Sequence, residues 1–441
     1  MRPKFKETVF MNELIGKRLL VLGGGLAAYD VVKIAKENGA YVVSADYYET
    51  GVAKSISDKS FTVSTTDYPS LLKIIKNEKI DGVFCGPSEF NLRNVMELCK
   101  QANLPFYATE EQWEICSDKS RFKAMCRKHD VPCVPEYHIT EEFLPEDMAK
   151  IKYPVIVKPV DSCSSRGIAV CSCREELIAA YKNALMFSNK KHIIVEKYIS
   201  SDLTFAVRYV VYNGEVYMLL TIDRYVVDPV KKRALITNAS VYPSRFNEKY
   251  IQTIDEKVKR MFKALGLKNC ALFMQALVDP EDGNFYFHEM GLRLSGGLNY
   301  TITEKATGVS DLLMMLRYSL GMDFSSPKEI EAIDPNLGGK VAASLCIPLR
   351  AGVIKSFEGV KQCCQELELI DYTQYHQPGD IITDENIGTL DQHFCRIKFF
   401  VNSYDEVSEK IDFILKTIKI TADDGADMIF SRFDTSRLYK L

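Results

Sequence analysis

Short apolar runs alternate with segments of helical period along the N-terminal quarter of the chain. Residues 17–22 (KRLLVL) predict a buried strand, and Gly23-Gly24-Gly25 predicts a tight turn. The stretch to Asn38 has helical spacing and stops at Gly39, and residues 41–45 predict a second strand. Residues 68–76 and 82–85 repeat the alternation as helix and strand. This is a Rossmann-like strand–turn–helix–strand pattern, expected to fill residues 1–112. Ser117 or Asp118 caps a further helix running to about His129, with Pro132 and Pro135 beyond it.

From there the pattern turns to strands. Residues 153–159 (YPVIVKP) and 192–199 (HIIVEKYI) predict buried strands that end in charged residues. Residues 205–211 and 215–223 form a hairpin about Asn213-Gly214. An amphipathic helix over 249–265 ends at Gly266. Residues 273–278 and 285–290 then flank the turn cluster Asp279-Pro280-Glu281-Asp282-Gly283-Asn284. In that hairpin Gln275 and Glu289 are expected to face each other. Helical or connecting segments follow at 301–307, 311–321 and 328–332. Residues 340–348 open a new unit with a helix at 360–367, strands at 370–375 and 396–401, and a helix at 404–417.

Several polar residues interrupt this pattern in ways packing does not explain. Lys119 in the first turn of its helix opposes the helix dipole, which makes sense when both attract one anion. Lys158 ends a buried strand, and the small residues of DSCSSRGI after it would let backbone N–H groups approach a phosphate. Gln275 and Glu289 are hard oxygen donors suited to Mg²⁺, which takes few protein oxygens and keeps phosphate and water ligands. Arg293 lies four residues after Glu289, and Ser295-Gly296-Gly297 leaves the backbone open. Together these groups suit a metal–triphosphate site. Glu89, after the 82–85 strand, is placed either to meet a substrate amine or to begin a helix. The Gly23–Ala28 turn also fits GxGxxA with Asp46 near the position of a ribose-binding acid, a pattern shared by dinucleotide sites and by plain packing turns.

Composition narrows the classes. The chain has 441 residues, 46% hydrophobic and 26% charged, with a net charge of −3. That balance gives no reason to expect nucleic acid or an anionic membrane as partner. No spanning segment or signal-peptide pattern is expected, and thirteen scattered cysteines without a CxxC point to reduced thiols in the cytoplasm.

In order along the chain, SDKSRFK, YPVIVKPVDSCSSRGI, IIVEKYISSD, FMQAL and HEMGLRLSGG resemble the ATP-grasp ligase superfamily. The resemblance implies an α/β and α+β fold: a Rossmann-like N-terminal domain (1–112), an ATP-grasp domain (113–335) with a mobile lid over about 135–198, and a small C-terminal α+β cap (336–441). It implies ATP and Mg²⁺ (or Mn²⁺) as cofactors. Lys119 and Lys158 would contact phosphates, Ser164, Ser165 and Gly167 would belong to the loop over them, and Glu196, Lys197, Tyr198 and Ile199 would read the adenine edge. Asp202 would take the ribose, Gln275 and Glu289 the metal, and Arg293 the transferred phosphate. Lys158 and Arg293 are the expected catalytic residues, and Glu89, Arg293, Ser295 and Gly296 the substrate contacts. The family often has Asn two residues after the second metal-binding Glu; Gly291 stands there in this chain.

The activity so implied is carboxylate–amine ligation. ATP would activate a carboxylate as an acylphosphate, and an amine, in amino-acid-like substrates, would displace the phosphate. The alternatives are carboxyphosphate formation from bicarbonate, as in a single-copy carbamoyl-phosphate-synthase-like enzyme, an ATP-binding regulator with weakened catalysis, and a dehydrogenase. A homodimer is the expected assembly, dimers being the commonest among soluble chains.

Overall fold

The computed structural model describes residues 12–161, 167–199, 203–226, 236–297 and 299–439. Strands β1 (Arg18–Leu22), β2 (Tyr41–Asp46), β3 (Lys59–Thr62) and β4 (Gly82–Phe84) form a parallel sheet in the order β3-β2-β1-β4. Helices Leu26–Glu37 and Glu89–Ala102 follow the turns after β1 and β4, so both begin at the carboxyl edge of the sheet. The turn after β1 is braced internally. Asp46 accepts from the backbone N–H of Gly24 at 2.8 Å and of Tyr48 at 3.0 Å, which commits both its oxygens to the loop.

The next unit is a second small sheet of β5 (Glu136–Tyr137), β6 (Val155–Pro159), β7 (Ala169–Cys171) and β8 (Ile193–Lys197), ordered β5-β8-β6-β7. Helix Arg174–Met186 covers it, and Val155, Val157, Leu177, Ala184, Ile193 and Val195 make a core separate from the rest of the chain. The sheet spans most of the segment expected as a lid.

The central layer joins β9 (Leu203–Tyr212), β10 (Glu215–Val226), β11 (Thr237–Tyr242), β12 (Cys270–Val278), β13 (Phe285–Gly291) and β14 (Val341–Pro348). After it come β15 (Gly352–Glu358), β16 (Glu368–Gln374), β17 (Ile381–Ile382), β18 (His393–Val401) and β19 (Lys419–Ala422). The eight-stranded order is β13-β12-β9-β10-β11-β14-β18-β16. Residues 336–441, expected as a cap, thus lend three strands to the same sheet, because β14 pairs antiparallel with β11. Strands β17-β15-β19 form a separate small sheet, and β15 leads into the helix at Val360–Glu366.

One buried core runs from the parallel sheet through helix Asp311–Ser319 to β9, β12 and β13, so the first domain and the hairpin are packed together. Gly82 makes the closest approach: a Cβ there would sit 1.9 Å from the Ser319 carbonyl oxygen. Arg208 on β9 and Asp311 form an ion pair in which both side chains are buried. The Tyr107 hydroxyl donates to the Leu292 carbonyl at 2.8 Å and fixes the exit of β13.

Candidate functional site

Strands β12 and β13 pair with Gln275 opposite Glu289, the register expected from the turn cluster. Between Gln275 and Ala276 the register shifts: Ala276 pairs with Phe287, so His288 is the extra residue of a bulge. A bulge sets two successive side chains toward the same side and occurs often next to binding sites. Arg224, near the end of β10, donates from Nη1 to Gln275 Oε1 and from Nη2 to Thr237 Oγ1 at 3.0 Å. Burial lowers the pKa of Arg224, and the nearby Glu289 carboxylate opposes that shift. An amide oxygen has two lone pairs, so Gln275 can accept from Arg224 and still face a cation.

The lysines arrive from two other elements. Asp118 caps helix Lys119–Lys128 by accepting from Ser120 and Arg121 backbone N–H groups, which places Lys119 in the first turn. Lys123, one turn later on the same face, is fully buried and donates to the Val134 carbonyl at 3.1 Å. Lys158 on β6 pairs with Glu196 on β8 at 2.5 Å, and Lys123 pairs with the other Glu196 oxygen. Burial draws the Lys158 pKa below its ordinary value; Glu196 opposes this, while Lys123 and Lys119 reinforce it. The same cations surround His288. Burial, then Lys158, Arg224, Lys119 and Lys123, push its pKa down to about 3. Val134, whose carbonyl accepts from Lys123, donates its own N–H to the Phe287 carbonyl, so the lysine-bearing elements and the hairpin converge around one point.

One polar atom at this point, and another on the chain leaving β13, lack partners. His288 Nδ1 and Ser295 Oγ are shielded from water and have no hydrogen-bond partner among the described residues. Buried polar atoms are nearly always satisfied, so orphans beside a cation cluster mark a place for a ligand. No group of three or more His, Cys, Asp or Glu forms a metal cage among the described residues. The donor set is one carboxylate and one amide, which fits Mg²⁺ carried in with phosphate and water ligands and does not fit zinc.

Other expected residues are placed as follows. Lys197 directs its ammonium to Asp279 at 2.7 Å and Glu281 at 3.1 Å. The backbone N–H groups of Lys197 and Tyr198 donate to the carbonyls of Pro135 and Pro154, and Ile199 is buried. Any adenine contact from this linker must use its remaining backbone groups, not the Lys197 side chain. Gly167 has φ +74°, and a Cβ there would meet Pro159 at 2.9 Å and Phe187 at 3.0 Å. Gly296 is exposed with open space about it. Ser164, Ser165 and Asp202 lie outside the described residues.

Arg293 bridges to the first domain. Its Nη2 lies 3.6 Å from Glu89 Oε2, and Glu89 is the first residue of helix Glu89–Ala102, the second of its two expected positions. The Arg293 guanidinium sits 5.0 Å above the Phe273 ring. Phe273 pairs with Gly291, and a Cβ at 291 would lie 2.5 Å from that ring. The absent Asn has a physical reason: Phe273 fills its space and supports Arg293. Gly291→Asn is expected to cost about 1–3 kcal/mol by overpacking, read as a lowered thermal midpoint. Adding Phe273→Leu should recover part of that loss.

Sequence reasoning missed Lys123, Arg224, His288 and the role of Phe273. Lys123 could have been found from its i,i+4 spacing to Lys119. Arg224 was visible only as a charged residue ending an apolar strand.

Residues 118–326 match the family model described as carbamoyl-phosphate synthase L chain, ATP binding domain. The chain is 25% identical over 197 residues to the formate-dependent phosphoribosylglycinamide formyltransferase of Prochlorococcus marinus (strain MIT 9515), covering 44% of this chain and half of that relative's length. An L-amino acid ligase structure from Bacillus licheniformis matches with a TM-score of 0.72 at 19% identity, over 93% of this chain and 99% of the other. The biotin carboxylase domain of the Hydrogenobacter thermophilus 2-oxoglutarate carboxylase matches with a TM-score of 0.75 at 20% identity, over 92% and 91%. At these identities the structural matches speak for the fold, and the matched segment contains Lys119, Lys158, Gln275, Glu289 and Arg293. Residues 118–326 therefore match an ATP-binding domain, and the fold is the ATP-grasp fold.

Proposed function

We propose that this chain is an ADP-forming ligase that activates a carboxylate as an acylphosphate for attack by an amine, with amino-acid-like substrates. The observation that carries this reading is the Gln275–Glu289 pair on a hairpin joined through Phe287 and Val134 to the lysine cluster. In it, Gln275 and Glu289 hold Mg²⁺, which when bound neutralises charge on the phosphate oxygens. Lys119 and Lys158 hold the triphosphate, and Arg293 steadies the phosphoryl group in transfer. Phosphoryl transfer asks the protein mainly for positioning and charge stabilisation, and these residues supply both. The β5–β8 unit, with its own core, acts as the lid that keeps water from the acylphosphate.

Glu89 and Arg293 favour a zwitterionic substrate, since an ammonium can approach the first and a carboxylate the second. The L-amino acid ligase fold match agrees with this choice. A homodimer in a reducing compartment completes the proposal; the twelve described cysteines are free thiols. Among the described residues no helix is long and apolar enough to cross a membrane.

The test is ADP release with Mg²⁺-ATP across paired amino acids and, separately, bicarbonate. The expected result is release that needs an amino-acid pair and is abolished by EDTA. Release with bicarbonate alone would move the assignment to carboxyphosphate formation. Nucleotide binding without turnover on any substrate would identify a regulator.

A further inference from the structure

We propose that His288 is a direct contact of the nucleotide's phosphate chain, donating a hydrogen bond from Nδ1. This inference rests on the ATP reading above and adds a residue to it. Three observations carry it. The bulge in β13 leaves His288 without an opposite residue on β12, so its imidazole can be aimed to the same side as the Glu289 carboxylate. Basic groups gather there: Arg224 bonds to Gln275 opposite Glu289, and Lys123, which shares Glu196 with Lys158, donates to Val134, itself bonded to Phe287. The His288 Nδ1 is shielded from water and has no partner among the described residues, although the residue as a whole is only partly covered.

The choice of ligand follows from the surroundings. Lys123, Lys158 and Arg224 outnumber the one carboxylate, Glu196, that two of them share, which makes the place attractive to anionic oxygen. An imidazole N–H adds a directed hydrogen bond there. The oxygen acceptor that this cluster suits is a phosphate oxygen. Strand pairing without a bulge would turn His288 to the opposite face, so the irregularity itself is what brings the ring in.

The experiment compares the wild-type protein with His288→Phe and His288→Asn, using isothermal titration with a non-hydrolysable MgATP analogue. Phenylalanine keeps the ring and removes the donor; asparagine keeps a nitrogen donor near the Nδ1 position. A hydrogen bond to a charged group predicts about a 10- to 100-fold weaker analogue affinity for His288→Phe. His288→Asn should stay within about threefold of wild type. On the wild-type protein, ¹⁵N NMR of labelled histidine should show one Nδ1 resonance moving with the analogue and staying still with adenosine. That measurement decides the matter if either variant fails to fold. Unchanged analogue affinity in folded His288→Phe, or an unmoved Nδ1 resonance while the wild type binds, overturns the role of His288 and leaves the ATP reading intact. A wild-type protein that binds no MgATP analogue overturns both.

Discussion

Glu289→Gln is expected to reduce ADP release by about 10²–10³-fold while leaving the thermal midpoint close to that of the wild type. The size follows from removing one preorganised charge contact at a phosphoryl-transfer site, typically about 3–4 kcal/mol. Glutamine preserves the shape of the side chain on β13 and its pairing opposite Gln275. What it removes is the negative charge that a bound metal would require, while the half-buried Arg224 keeps its hydrogen bonds to Gln275 and Thr237. The loss should therefore fall on turnover, with nucleotide affinity falling chiefly when Mg²⁺ is present. Steady-state ADP release and a thermal melt on the same preparation separate the two effects. A fully active Glu289→Gln would show that the carboxylate is an ordinary strand-edge residue.

Glu196→Ala is expected to do the opposite, with stability lost along with activity. Glu196 is buried between Lys123 and Lys158, both buried as well. Deleting the shared carboxylate strands two ammonium groups in a place that already disfavours charge. Breaking a buried pair in this way typically costs about 3–5 kcal/mol. The fully buried Lys123 suffers most, because Val134 and Glu136 are its remaining partners among the described residues and the Glu136 contact is long, at 3.4 Å. Urea denaturation should show the midpoint shift. Lys123→Met combined with Glu196→Gln should regain part of the stability, since an apolar chain of similar volume needs no counter-charge. A Glu196→Ala protein as stable as wild type would mean that water reaches the lysines.

Much of this was legible beforehand, for local reasons. The six-residue turn cluster between two apolar runs set the β12–β13 register and hence the opposition of Gln275 and Glu289. A capping aspartate before Lys119 placed that lysine in the first helical turn, where it has no helix-stabilising purpose. Lys158 stood out because an ammonium at the end of a buried strand needs a partner. The residues that were missed depend on non-local pairing. Arg224 reaches Gln275 past the intervening strand β9, an arrangement set by sheet order, which no run of sequence encodes. His288 looks like one member of a regular alternation until the bulge removes it from that alternation. Phe273 looks like core, and only its pairing with Gly291 makes it a support for Arg293. In the same way, residues 340–348 read as the start of a new unit because nothing within them specifies β11 as their neighbour.

The central claim is that one metal-bound triphosphate is shared by Lys119, Lys158, Gln275, Glu289 and Arg293. A crystal structure with Mn²⁺ and a non-hydrolysable ATP analogue tests it most directly. The account predicts an anomalous peak about 2.0–2.2 Å from a Glu289 carboxylate oxygen, with the phosphate chain in contact with Lys158. A nucleotide seated elsewhere, or a metal peak remote from Glu289, would contradict it.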